Sequence, residues 1–270
     1  MTGFTLGSLL ITTLSGWIIP AYGWRTLYLL TFLPLLLAIL MYLMIPESQS
    51  WQEARARKLT GANSVLEKRE SAYKVIFANP QHRRMFILWT ISSGLLLFGY
   101  FGVSNWLPSY LESELHIKFK DMAIYMAGTY VSMMFAKVIA GMMADKIGRK
   151  AVFAFGTIGT ALFIPVVVYM HTAQNIGWLM LAFGFLYGIP YAINATYLTE
   201  SFPTSIRGTA VGGAFNIGRI GSVFAPITIG YLATHNSIGL GLLLMAGAYF
   251  LCGLIPTLFI KEKQYDPQGT

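Results

Sequence analysis

Arg219 is the only charged side chain in a run of apolar and small residues extending from Thr209 to Ala233. Counted from Gly208 at about 1.5 Å per residue, it lies roughly 16 Å along a helix, near the midplane if that helix crosses a bilayer. A guanidinium at that depth is costly unless it is paired or faces a wet cavity, and its planar fork suits a carboxylate bidentately. Anion binding is the chemistry it offers; the alternative is a structural pairing with backbone or another helix. Lys137 sits in a similar run, Met122 to Met143, but only about two turns from its end, so snorkelling of the four-carbon stem to water is the expectation there.

A second cluster lies at a junction between runs: Gly141, Met142, Met143, Ala144, Asp145, Lys146, Ile147, Gly148, Arg149, Lys150. Gly141 permits a tight helix crossing, Gly148 permits a sharp turn, and Asp145 can pair with Arg149 four residues on. Such a charge cluster can latch one conformation and release another. Glu200 and Arg207 flank Pro203 at what reads as the same face and are expected to join Asp145 and Arg149 in the latch. A solvated basic loop with an incidental acid is the plainer reading of the same residues.

Other chemistries find no foothold. All eleven acids and all four histidines fall at the ends of apolar runs or between them, so no titratable relay is visible at depth. Cys252 is alone, which leaves no disulfide framework and no metal cluster, and no metal or cofactor is expected. A phosphate-binding glycine loop is missing, as is any Ser/His/Asp or Cys/His constellation, so an ATP-driven pump or a hydrolase is not indicated and no enzymatic activity is expected.

The elements that must position these residues follow from composition. Of 270 residues 55% are hydrophobic and only 11% charged, a balance suited to lipid rather than water. Eight runs are long enough to span: Gly3–Tyr22, Leu27–Ile45, Met85–Leu107, Met122–Met143, Ala151–Met170, Ile176–Tyr197, Thr209–Ala233 and Gly239–Ile260. Their length and unbroken Leu/Ile/Phe/Met content favour helices over a membrane barrel, so the expected fold is an all-α membrane bundle. The net charge of +8 does not imply a nucleic-acid partner, because the basic residues cluster in alternate connectors. Arg55, Arg57, Lys58, Lys68, Arg69, Lys74, Arg83, Arg84, Lys146, Arg149, Lys150, Arg207, Lys261 and Lys263 fall on one side, against Arg25, Lys118 and Lys120 on the other. The positive-inside rule then places both termini in the cytoplasm of an inner (plasma) membrane. Glycines four apart, Gly3/Gly7, Gly184/Gly188 and Gly208/Gly212, continued by Gly213, Gly218 and Gly221, are expected to let helix backbones approach closely.

The Gly141–Lys150 segment resembles the signature loop of the major facilitator superfamily. Gly23-Trp24-Arg25, Pro46-Glu47-Ser48 with Trp51, Asn105-Trp106-Leu107-Pro108, the run Glu200 to Gly208, and Asn216 to Gly221 resemble the branch that imports aromatic and other organic acids with protons. In that superfamily the loop occurs twice and here it occurs once, which fits a chain that starts at the family's fifth span. The resemblance implies the last two helices of the N-terminal bundle at residues 1–45, a cytoplasmic linker at 46–84, a complete C-terminal six-helix bundle at 85–262 and a tail at 263–270. It also implies a cavity lined by the third and sixth spans of this chain, where Tyr100, Asn105, Tyr187, Tyr191 and Asn194 lie, joined by Asn216 and Arg219 of the seventh. Tyr187, Tyr191 and Asn194 share one helix face by spacing.

The function implied is alternating-access transport of a small organic anion, aromatic acids first, across the lipid bilayer. Coupling to protons would draw on acids of earlier spans. Sugars, sialic acid and nicotinate are alternative cargoes, and a non-transporting membrane remnant is the alternative from another class.

Overall fold

Runs of about twenty apolar residues have one way to satisfy their backbone in lipid, and the computed structural model is accordingly helical through most of every expected run. It describes residues 2–30, 32–47, 49, 52–53, 55–56 and 71–261. The helices are α1 (Thr2–Leu30), α2 (Leu33–Met44), α3 (Ala72–Ala78), α4 (Pro80–Ser109), α5 (Phe119–Ile147), α6 (Arg149–Tyr169), α7 (Ile176–Glu200), α8 (Thr204–Gly218), α9 (Ile220–His235) and α10 (Ile238–Phe259). A π-turn, Tyr110–Glu114, extends α4. Seven stretches among the described residues are long and apolar enough to cross a membrane, Gly3–Met44 being long enough, at 42 residues, for two crossings.

Two compact units result, one of Met1–Gly16 with Ala72–Thr270 and one of Trp17–Ser71. In the smaller unit Gly23 leaves the helix at φ 77° and ψ 165°, between the first two expected spans. Glycine alone tolerates that conformation without strain. α2 then starts at Leu33, inside the expected second span, because Pro34 has no N–H to give and is accepted only in a first turn. Arg25 lies 4.6 Å from the Trp24 ring centroid, an amphipathic pair of the kind found at membrane interfaces. Much of the expected linker, residues 57–70 included, lies outside the described residues, as do Trp51 and the tail.

In the larger unit α4 starts five residues earlier than expected, because the Asn79 side chain accepts from the Gln81 N–H at 2.9 Å and Pro80 follows at the first helical position. Short α3 packs on α4 and α8 through the fully buried Ile76, so the end of the expected linker belongs to this bundle. The most extensive helix pairing is α5 with α7. It is made close by Gly184 and Gly188: a Cβ at Gly184 would stand 3.0 Å from the Thr129 backbone carbon, and one at Gly188 2.9 Å from the Met133 carbonyl oxygen. Ser132 adds an interhelical bond to the Leu181 carbonyl at 2.7 Å. Gly218 and Gly221 likewise bring α8 and α9 against Gly94 of α4. Gly3, Gly7, Gly208, Gly212 and Gly141 do not behave this way, since a Cβ at any of them would meet nothing within 4 Å. The tight crossing expected at Gly141 is therefore absent among the described residues.

The far ends of α4 and α10 are tied by a contact that spacing does not reveal. Glu114, in the π-turn, accepts from the Ile238 and Gly239 N–H groups, the latter at 3.1 Å, placing a carboxylate on the N-terminus of α10.

Candidate functional site

Two polar constellations stand out in the larger unit. The first is the loop between α5 and α6, where Gly148 adopts φ 96° and ψ 154° and so reverses the chain as its type suggests. Immediately beyond it, Arg149 Nη1 lies 2.6 Å from Asp145 Oδ1, while its Nε and Nη2 donate to Glu200 Oε1, each at 3.3 Å. Arg149 is almost buried and Asp145 largely exposed, so the guanidinium ties the start of α6 to the end of α7 beneath a solvent-facing acid. Of the seven residues expected in a latch, Asp145, Gly148, Arg149 and Glu200 come together. Arg207 does not join them: its Nε donates to the Phe202 carbonyl at 3.1 Å, closing the Pro203 turn locally. Lys150 reaches the Ile260 carbonyl at 3.4 Å instead, at the end of α10, and Gly141 faces open space.

The second lies at mid-depth. Tyr100 of α4 stacks on Tyr187 at 4.9 Å and 4°, and on Tyr191 at 4.6 Å and 23°. The Tyr187 hydroxyl donates to the Tyr100 carbonyl at 2.6 Å. Tyr100 and Tyr187 are thereby locked in the core, whereas Tyr191 is half-buried. Asn194 is buried on the same helix with its Oδ1 lacking a protein partner. A buried amide oxygen left so is costly, which marks the spot as one that a ligand or water completes. Asn105 and Asn216 are exposed, and Asn216 Nδ2 returns to the Gly212 carbonyl at 2.8 Å.

Arg219 is the one-residue interruption between α8 and α9, fifteen residues from Thr204 and sixteen from His235, hence at the centre of the crossing. Ser222 caps the break, its N–H and hydroxyl both donating to the Arg219 carbonyl, at 2.9 and 2.7 Å. The side chain is exposed, with Cζ 5.7 Å from the Phe215 ring, and no carboxylate among the described residues pairs with it.

Lys137 departs from expectation. α5 runs on to Ile147, so Lys137 is ten residues, about 15 Å, from that end rather than two turns. It does not snorkel: it is only 6% exposed, donates to the buried Thr5 hydroxyl of α1, and holds Nζ 5.8 Å from the Tyr191 ring centroid. The signal was the same one that singled out Arg219, a lone cation in an apolar run; Ala144–Ile147 ended that run in sequence without ending the helix.

Known proteins share this architecture. The chain is 55% identical to the cis,cis-muconate transport protein of Acinetobacter baylyi over 98% of its own length and 64% of the relative's. It is 24% identical to the sialic acid transporter NanX of Escherichia coli, over 92% of this chain and 59% of that one. The crystal structure of a D-xylose-proton symporter superposes with a TM-score of 0.71 at 20% identity, covering 97% of this chain and 62% of that one, a likeness of fold. The chain thus spans under two thirds of the length of these relatives. The model of the Major Facilitator Superfamily matches residues 1–136 and 113–269, and with the Asp145–Arg149–Glu200 cluster and the helical bundle in place, the chain is a multi-pass membrane protein belonging to that superfamily.

Proposed function

We propose that the whole protein carries small organic anions across the inner membrane by alternating access, with both termini in the cytoplasm and proton coupling as the driving force. The carrying observation is Arg219, a guanidinium at the centre of its crossing with no carboxylate partner among the described residues. An apolar environment retains such a group where an anion regularly meets it. Two relatives named above carry solutes that are themselves carboxylic acids, which favours organic acids over neutral sugars. Aromatic acids and unsaturated diacids suit the Tyr100–Tyr191 stack, since flat π systems pack on aromatic faces. The Asp145–Arg149–Glu200 cluster serves as the cytoplasmic latch, made in one state and broken in the other.

Uptake into membrane vesicles tests this reading. With an N-terminally extended form of the chain, labelled cis,cis-muconate and benzoate are expected to accumulate, xylose is not, and collapse of the pH gradient is expected to stop accumulation. Uptake of xylose alone, or of none of the three, would remove the organic-anion assignment. The same assay on the 270-residue chain separates a transporter from a membrane remnant.

A further inference from the structure

A basic recess in the larger unit lies apart from both constellations. α10 packs against both α4 and α6, and its last turn meets the starts of those two helices. The recess between them has a volume of about 430 Å³. Three cations reach it from three segments: Arg84 from the second turn of α4, Lys150 from the first turn of α6, and Lys261 from just beyond α10. Lys150 Nζ donates to the Ile260 carbonyl at 3.4 Å, which ties the start of α6 to the end of α10. Arg84 and Lys261 are exposed and make no ion pair among the described residues, and no described acid lines the recess.

The rest of the lining is largely apolar, with Met85 beside Arg84 and with Leu258 and Phe259 both exposed. Leu258 and Phe259 stand on the last turn of α10, and Lys261 follows beyond its end. Charge thus lies outside and apolar surface inside along the helix axis, at the boundary where a membrane helix leaves the hydrocarbon. A soluble anion would use the cations and gain nothing from the apolar side chains. A phospholipid presents the same two layers in the same order, phosphate outside and acyl chains inside. Arg84 precedes Tyr100 on α4 by sixteen residues, about 24 Å, so the recess is separate from the mid-depth aromatic stack.

We propose that this recess is a binding site for an anionic phospholipid, its phosphate held by Arg84, Lys150 and Lys261 and its acyl chains lying along Leu258 and Phe259. The site goes beyond the transport reading and does not depend on it. The Arg84 fork supplies paired hydrogen bonds to phosphate oxygens, and the two ammonium groups add compact charge. Basic pockets between membrane helices favour anionic headgroups, whereas a zwitterionic headgroup brings its own ammonium into the same positive field.

Native mass spectrometry of the purified 270-residue chain in mild detergent tests this, with phosphatidylglycerol, phosphatidylethanolamine and sn-glycerol 3-phosphate as probes. Phosphatidylglycerol is expected to bind the unmodified protein at least tenfold more tightly than either of the others. Equal binding of the two lipids would overturn the proposal, and glycerol phosphate binding as tightly as phosphatidylglycerol would replace the lipid with a soluble phosphate. These comparisons need no variant. The double variant Arg84→Gln/Lys261→Gln removes two exposed charges and is expected to bring phosphatidylglycerol down to the level of phosphatidylethanolamine. Lys118→Gln/Lys120→Gln, at the other end of the bundle, is expected to leave the tenfold preference intact. A preference unchanged by the first pair, or lost equally with the second, would show that anionic lipid is held by overall charge and not by this recess.

Discussion

Replacing Arg219 with glutamine is expected to lower organic-acid uptake about a hundredfold while leaving the amount of protein in the membrane unchanged. The side chain is exposed and makes no ion pair among the described residues, so its loss orphans no acid and gives up only its contact with the Phe215 ring. What it removes is a bidentate, charge-assisted pair to the substrate carboxylate in a site away from bulk water. Breaking such a pair costs about 3 kcal/mol, roughly a hundredfold in affinity. Arg219→Lys retains the charge but loses the planar fork, so an intermediate defect is expected. Initial rates of labelled muconate uptake, normalised to protein in the vesicles, provide the readout. Near-normal uptake by the glutamine variant would take Arg219 out of the substrate path and return it to a structural role.

An effect of comparable size, on folding rather than transport, is expected at Gly184. Any side chain there meets the Thr129 backbone, with the carbonyl carbon and Cα both at 3.0 Å, and backbone cannot rotate aside as a side-chain tip can. Leucine at position 184 must therefore push α5 and α7 apart along their shared seam and break the bonds that Thr129 and Ser132 make to the Met180 and Leu181 carbonyls, at 3.3 and 2.7 Å. In a bilayer no hydrophobic driving force returns the helices, because lipid solvates them as well as each other, so close packing and interhelical bonds are what hold the pair together. Gly184→Leu is expected to yield aggregated or degraded protein, seen as loss of the monodisperse peak on size-exclusion chromatography in mild detergent. Gly247→Leu, at a position where a Cβ meets nothing within 4 Å, serves as the control and is expected to elute normally. A normal peak for Gly184→Leu would show that the α5–α7 seam is not close-packed.

These two residues show where a sequence is legible and where it stops being so. Crossings are legible because each needs about twenty apolar residues and nothing else, and the helices fall on the expected runs within a few residues. Local chemistry is legible too: Asp145 and Arg149 are one helical turn apart, and Gly148 takes the backbone angles its type allows. Partnerships across the bundle are not. Gly184 and Gly208 each begin the same four-residue glycine spacing, yet only the first meets a neighbouring backbone, since the partner of a small residue is fixed by helix packing that the spacing does not encode. Arg207 is expected to join Asp145 and Arg149 in the latch but reaches the nearer Phe202 carbonyl instead, while Glu200 goes to Arg149. Glu114 on the α10 N-terminus joins residues more than a hundred positions apart, for which no local pattern exists. Lys137 was misplaced for a different reason. A helix ends where its caps are, not where its apolar residues run out, and α5 carries Asp145 and Lys146 in its last turns.

The mid-depth site also explains why residues of one expected cavity divide into two kinds. Tyr100 and Tyr187 are fixed by mutual stacking and a 2.6 Å bond, which makes them the rigid wall. Asn194 keeps a buried amide oxygen without a protein partner, Tyr191 is half-buried, and Arg219 has no carboxylate partner among the described residues, which leaves them the more available side. A preorganised wall supporting a few unsatisfied polar groups is the arrangement by which small-molecule sites combine affinity with selectivity.

Central to all of this is that mid-membrane positive charge reads a carboxylate. Equilibrium binding of cis,cis-muconate and of its uncharged diamide to the purified protein, at neutral pH and constant ionic strength, measures that directly. The diacid is expected to bind at least a hundredfold more tightly than the diamide, with the difference largely abolished in Arg219→Gln. Equal binding of diacid and diamide by the unmodified protein would contradict it.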